Sequence, residues 1–289
     1  MEEISFKEIN QPMGYLPYSV LMSVYDEDKL EYLKMSIASM LNQTIPPEQF
    51  VLVIDGPVRE EIEGIVEEYS TKEKLFTVVR LTENGGLANA LNIGLKYCRN
   101  ELVARMDADD ISLPERCERE LELFKKYPEL VICGCNIDEF YDDEYHVKTS
   151  RNVPSKYEEI LRFARRRQPF NHPTVIYKKS IITKCGGYQK LQRKEDFDLF
   201  SRILAGGYYV RNVNQALYLY RADENNYRRR KSKKNVVSAF CVYKRHLKRK
   251  GCSVFDFLIM CGGEIIFFIV PYKLMKILSD KLLRKERTY

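Results

Sequence analysis

Arg105-Met106-Asp107-Ala108-Asp109-Asp110 follows an apolar run, Leu102-Val103-Ala104, that reads as a buried strand. Three carboxylates therefore crowd the carboxyl end of a strand, where open α/β sheets place their ligands. Like charges this close repel unless a cation sits among them. An all-oxygen ligand set suits Mg²⁺ or Mn²⁺ with a phosphate-bearing substrate. The alternative is a solvated turn that opens a helix, with Ser112-Leu113-Pro114-Glu115 as a capping box. A second acidic pair, Glu195-Asp196, opens a short helical pattern that Gly206-Gly207 ends. Read alone, that pair is a set of helix N-terminal carboxylates favoured by the dipole.

The elements that must position these residues alternate between strand and helix periodicity. Apolar runs at Tyr18–Val24, 50–54, 76–79, 102–106 and 131–134 read as strands. Amphipathic patterns at 29–42, 59–69, 87–98 and 114–126 read as the intervening helices. This alternation predicts a doubly wound, mostly parallel α/β sheet flanked by helices. Past residue 135 the regularity fades, with strand-like runs at 208–210 and 216–220 and a basic helix over 235–250.

The net charge of +6 hides an asymmetry. From Arg221 to Tyr289 there are 18 Lys and Arg against 6 Asp and Glu, a balance of +12, so the preceding 220 residues sum to −6. The expected organisation is a catalytic body over 1–220, with a nucleotide-binding half over 17–135 and an acceptor half over 136–220. A basic, membrane-associating helical extension over 221–289 follows it. The apolar tail over 255–274 is marginal for a membrane span, and Glu264 at its centre would be costly in lipid. Flanking lysines and arginines fit an interfacial segment on an anionic membrane surface; the other reading is a helical hairpin packed on the body. The polar, acidic N-terminus lacks a signal-peptide pattern, so the expected place is the cytoplasmic side, peripheral on the inner face of the membrane. The eight cysteines form no zinc pattern and read as small core residues. The Arg228–Lys234 run lacks interleaved aromatics, which argues against nucleic acid. His146 and His246 have no sequence partner and read as surface residues.

Polar residues end each early strand: Ser23-Val24-Tyr25, Asp55-Gly56, Asn84-Gly85-Gly86 and the Asp cluster. With Asn-Gly-Gly-Leu-Ala-x-Ala-Leu-Asn at 84–92, Met-Asp-Ala-Asp-Asp at 106–110, Gly-Gly-Tyr at 186–188 and Glu-Asp at 195–196, the order resembles family 2 glycosyltransferases of the GT-A fold. Within that family the chain is similar to bacterial transferases of exopolysaccharide, capsule and O-antigen assembly. The resemblance spans about residues 17–220. It implies that Val24 and Tyr25 line a base pocket with Asp55 on the pyrimidine edge. It sets Asn84 and Leu87 on the diphosphate and ribose side and Asp107 at the ribose and donor sugar. Asp109 would bind Mn²⁺ or Mg²⁺, with Asp110 a supporting or helix-capping residue. Asp196 would be the catalytic base of an inverting transfer, with Glu195 beside it and His172 near the acceptor. The implied partners are a nucleotide-sugar donor, a UDP-sugar in the family pattern, and a lipid-linked or oligosaccharide acceptor, with an anionic membrane surface beside them. Two departures stand out. The second strand ends Asp55-Gly56-Pro57, where many members have Asp-Asp-Gly-Ser, and no Gln-x-x-Arg-Trp motif exists in a chain without Trp. The latter argues for nonprocessive transfer. A sugar-phosphate nucleotidyltransferase is the alternative, but the acidic Tyr25-Asp26-Glu27-Asp28 would repel a triphosphate. A non-catalytic membrane or nucleic-acid scaffold leaves both acidic clusters without purpose.

Overall fold

The computed structural model describes residues 14, 16–141, 144, 147, 149–191, 193–222, 232–270 and 285–286. Four strands form its parallel half: β1 (Tyr18–Val24), β2 (Gln49–Ile54), β3 (Phe76–Arg80) and β4 (Leu102–Met106), in the order β3-β2-β1-β4. The crossovers are α1 (Leu30–Leu41), α2 (Glu60–Lys72) and α3 (Leu87–Tyr97). Successive strand side chains point to opposite faces, so each strand feeds two cores. Val20, Met22 and Leu52 pack with Leu33, Ile37 and Ile62 of α1 and α2. Leu21, Val51 and Val53 pack with Ala90, Leu91 and Leu95 of α3. Helix α3 lies so close that a Cβ on Gly94 would come within 2.4 Å of Leu21 Cδ1. Because β4 joins β1 on the side away from β2, the chain reverses its winding there, and the strand ends open a crevice.

The rest of the sheet is mixed: β5 (Ile111–Ser112), β6 (Ile132–Phe140), β7 (Thr149–Arg151), β8 (Ile176–Lys178) and β9 (Val210–Arg221). Helices α4 (Arg116–Lys126), α5 (Tyr157–Ala164), α6 (Lys179–Lys184) and α7 (Glu195–Ala205) lie between them in sequence. The strand expected over 131–134 is the start of the nine-residue β6 and does not adjoin β4. Instead β8 inserts between them, antiparallel to both. The two strand-like runs at 208–210 and 216–220 belong to one element. Strand β9 runs parallel to β6 through a bulge, its register jumping from Cys135↔Val213 to Asn136↔Ala216. A bulge breaks the alternation by which a strand is recognised.

The expected capping box does not form. Ser112 lies in β5, paired with Tyr218 of β9, and helix α4 starts at Arg116 without a side-chain cap. The Ser112 N–H donates to Ser39 Oγ at 3.1 Å, and its hydroxyl accepts from Gln43 Nε2 at 3.0 Å. Pairing with a distant strand wins over the local cap.

Two helices end the described body, α8 (Lys233–Lys248) and α9 (Val254–Ile269). Ser253 and Asp256 form a capping box on α9. Phe197 of α7 packs with Ala239, Val242 and Tyr243 of α8 and Met260 and Cys261 of α9. The opposite face of α9 exposes Phe255, Leu258, Ile266 and Ile269. Among the described residues, no helix is long and apolar enough to cross a membrane. A short strand, β10 (Lys285–Glu286), pairs antiparallel with β7. His146, Arg228–Lys231 and the tail over 271–274 lie outside the described residues.

Candidate active site

The ends of β1, β2 and β4 converge on a cavity of about 600 Å³. Val24, Tyr25, Asp55, Asn84, Leu87, Asp107 and Asp109 all line it. The Asp55 carboxylate accepts from the Gly85 N–H at 2.8 Å and so ties the glycine loop to the end of β2. This approach needs Gly56, whose φ is +90° and where a Cβ would meet Asn84 N at 2.5 Å. Gly86, also left-handed at φ +80°, then turns the chain into α3.

Asp107, Asp109 and Asp110 each offer a carboxylate oxygen within 4.8 Å of the others. Burial, then repulsion from Asp107, raises the Asp109 carboxyl to about 6. Asp110 is fully buried, and burial followed by its two acidic neighbours raises it well above the carboxylate range. One Asp110 oxygen accepts from the Arg221 N–H at 2.7 Å, so this residue ties the acidic turn to β9. Asp28 joins the group. Burial raises it to about 7 against the Tyr25 N–H it accepts, with Asp109 and Asp107 adding repulsion. A surplus of hard, partly desolvated oxygen ligands fits a divalent cation bound with a diphosphate.

Two arginines partly offset this charge. Arg105 is buried beside Asp107 and pairs with its carboxylate. Alternation places the two residues on one face of the strand line, a spacing that the Arg-Met-Asp sequence already carries. Arg221, at the end of β9, donates from Nε to the Asp109 carbonyl at 2.8 Å. Its guanidinium lies 3.7 Å from the Tyr32 ring centroid and 4.4 Å from that of Phe140. Sequence reasoning missed Asp28 and Arg221. Asp28 was visible only as part of an acidic run. Arg221 sits 112 residues from Asp109, and only strand pairing brings it there.

Glu195 and Asp196 open α7, as expected, but do not line this cavity. Burial, then repulsion from Asp196, lifts Glu195 to about 7; Arg193 and Arg105 act against that rise. Asp196 accepts from Gln168 Nε2 at 2.8 Å. His172 is buried in a short 3₁₀ turn, its Nε2 2.9 Å from the Tyr188 hydroxyl. Burial, then the charge of Arg105, pushes its pKa well below the usual range and holds the ring neutral. His246, expected at the surface, is 2% exposed, with Nδ1 2.8 Å from Ser201 Oγ. The α7–α8 packing buries it, a contact with no local trace in sequence.

A nucleotide-sized cavity at the switch point of an α/β sheet, edged with acids, defines a class that comparison with known proteins names. The chain belongs to glycosyltransferase family 2, whose model, "Glycosyl transferase family 2", matches residues 19–198. It is similar to the amylovoran biosynthesis glycosyltransferase AmsE of Erwinia amylovora, at 33% identity over 91% of this chain and 98% of that protein. It is 30% identical to an Escherichia coli UDP-Gal:alpha-D-GlcNAc-diphosphoundecaprenol beta-1,3-galactosyltransferase, over 93% of this chain and 97% of that one. Among solved structures it shares the GT-A fold with the mannosyltransferase PcManGT from Pyrobaculum calidifontis, in complex with GDP-Man and Mn²⁺. The TM-score there is 0.64 at 15% identity, covering 90% of this chain and 72% of that chain.

Proposed function

We propose that this glycosyltransferase is metal-dependent, inverting and nonprocessive. In this reading it moves one sugar from a UDP-sugar to a lipid-linked or saccharide acceptor during cell-surface polysaccharide assembly. The observation that carries the proposal is the cavity itself, lined by every residue assigned to the donor together with Asp109. Val24, Tyr25 and Asp55 hold the base, Asn84 and Leu87 border the ribose and diphosphate, and Asp107 reaches the donor sugar. Asp109 would hold Mn²⁺ or Mg²⁺, and such an ion would supply positive charge against that developing on the leaving diphosphate. Two relatives support this choice of partners. The E. coli enzyme carries UDP-Gal and a diphosphoundecaprenol acceptor in its name, and PcManGT was solved with Mn²⁺.

Asp196 acts as the base that takes the proton from the acceptor hydroxyl. Gln168 orients its carboxylate. Glu195, titrating about 7, is protonated in part of the population at neutral pH and can donate to an acceptor oxygen. His172, held neutral against Tyr188, supports the acceptor wall. In this reading the charge of Arg105 lies between the donor half over 17–135 and the acceptor half over 136–220, acting on both Asp107 and Glu195, and Arg221 closes the last strand of the body before the C-terminal helices extend it. The exposed face of α9 beside Arg165 and Arg166 would rest on the anionic inner face of the membrane, where a lipid-linked acceptor is found. Family membership leaves the nucleotidyltransferase and scaffold readings without support.

A thermal-shift panel of nucleotide sugars with and without Mn²⁺ tests the reading, because a ligand that binds the folded state raises apparent stability. The expected result is a shift by UDP-sugars that requires metal and vanishes in Asp109→Ala. Equal shifts with and without metal, or from nucleoside triphosphates alone, would overturn it.

A further inference from the structure

Lys194 stands immediately before Glu195 and Asp196 and adopts a left-handed conformation, with φ 66° and ψ 21°. Among the described residues only Lys250 shares positive φ without being glycine. That region is disfavoured for any residue with a Cβ and persists where surroundings hold it. Here the Lys194 carbonyl accepts from the Asp198 N–H at 3.0 Å, so its conformation sets the first turn of α7.

What holds Lys194 comes from the two C-terminal helices. Its Nζ donates to Glu264 Oε1 of α9 at 2.6 Å and to the Tyr243 hydroxyl of α8 at 3.2 Å. The Tyr243 hydroxyl donates to the same Glu264 oxygen at 2.7 Å, and Asn235 Nδ2 approaches the other at 3.4 Å. The Glu264 side chain is 12% exposed and that of Lys194 30%, so the carboxylate is largely shielded from water while the ammonium keeps part of its hydration. On the other side of the acidic pair, the Phe197 ring meets Tyr243 edge-on at 5.8 Å and His246 at 5.2 Å. Both residues that bracket Glu195 and Asp196 are therefore anchored in the α8–α9 hairpin. A carboxylate in the most apolar stretch of the chain has a partner whose backbone carries the acidic pair.

We propose that Glu264 and Tyr243 are positioning residues: they hold Lys194 in its left-handed turn and so set the direction in which α7 presents Glu195 and Asp196 to the acceptor. The proposal rests on the reading of Asp196 as the base. It makes the C-terminal hairpin part of the acceptor half of the site, and not only an attachment to it.

The test uses the full chain, Mn²⁺ and the UDP-sugar giving the largest thermal shift, with water as acceptor and UDP release as the readout. Glu264→Gln and Tyr243→Phe should lower kcat about tenfold with the donor KM unchanged, because misorientation of a base costs turnover and not donor affinity. Glycine adopts positive φ freely. In a Lys194→Gly background, Glu264→Gln should therefore change kcat by less than about twofold. Asp256→Asn is the control. It removes another anchor of the hairpin, the pairing with Arg165 and Arg166, without touching Lys194. It should lower the melting temperature and leave kcat unchanged. A Glu264→Gln enzyme with wild-type kcat overturns the proposal. So does an equal loss of kcat with or without lysine at 194, which would mark a merely structural role. Asp196→Asn separates the two readings: its inactivity beside a fully active Glu264→Gln refutes the positioning role alone, whereas its full activity refutes the base and the positioning role together.

Discussion

If Asp109 holds the divalent cation as proposed, protons compete with that cation for its carboxylate, and the competition has a size. The group titrates about 6, raised by burial and then by Asp107. At about pH 7 roughly nine in ten copies are ionised, and at about pH 5 roughly one in ten. A metal binds the ionised form, so affinity rises with pH and levels off above the raised pKa. From this one group, apparent Mn²⁺ affinity in the presence of UDP should weaken about tenfold between about pH 7 and about pH 5. Protonation of Asp28, at about 7, removes a further negative charge from the cavity and acts with the same sign. Calorimetric titration at constant ionic strength, in buffers of differing ionisation enthalpy, measures both the affinity and the protons released. About half a proton per Mn²⁺ should leave Asp109 at about pH 6. Asp109→Asn should abolish most of the affinity and flatten what remains. A Mn²⁺ affinity independent of pH across this window, or unchanged in Asp109→Asn, would refute the assignment of this carboxylate as the ligand.

Other perturbations test the scaffold around the site. Asp198 is fully buried and accepts from Arg202 Nε and Arg249 Nη1, both at 2.9 Å. Those arginines reach some water, so Asp198→Ala should cost about 2–3 kcal/mol, below the loss for a fully buried pair, and lower the melting temperature by about 5–10 °C. Urea denaturation yielding under about 0.5 kcal/mol would show that the α7–α8 contact is idle. Gly94→Ala drives a methyl into Leu21 and Val53 and should destabilise by about 1–3 kcal/mol, read by the same denaturation, and an unchanged midpoint contradicts the tight α3 approach. Phe255→Asp with Leu258→Asp should release the protein from anionic vesicles in a sedimentation assay while leaving donor hydrolysis intact; retention on vesicles excludes this face as the contact.

Much of the cavity lining was legible, Asp28 and Arg221 excepted, because its residues follow strands whose apolar runs announce themselves. Each of those ends maps to the crevice by topology alone, so Val24, Asp55, Asn84 and Asp107 could be placed without coordinates. The mixed half of the sheet was not. Strand β8 has three residues, too few for a period, and its antiparallel entry between β4 and β6 depends on its fit to both neighbours. The bulge in β9 split one strand into two apparent ones. Ser112 carried a sound capping pattern that pairing with Tyr218 displaced. Glu264 looked like a flaw in an apolar helix because its partner, Lys194, lies 70 residues away. Long-range ion pairs of this kind leave no spacing to read.

The pairing of Asp110 with Arg221 also bears on how the enzyme comes into being. The acidic turn is anchored by a residue 111 positions further along, at the end of a strand that must first line up beside β6. Contacts of such sequence separation form slowly, since a long loop must close before they contribute. During synthesis the first four strands and their helices can gather as a unit while β9 is still unmade. At that stage the crevice has a floor but lacks Tyr220 and Arg221 from its wall. Nucleotide-sugar affinity should therefore arrive late and abruptly along the growing chain, once residue 221 has cleared the ribosome. On the proposed reading, donor binding would report the pairing of β9 with β6 and not the presence of the first four strands alone.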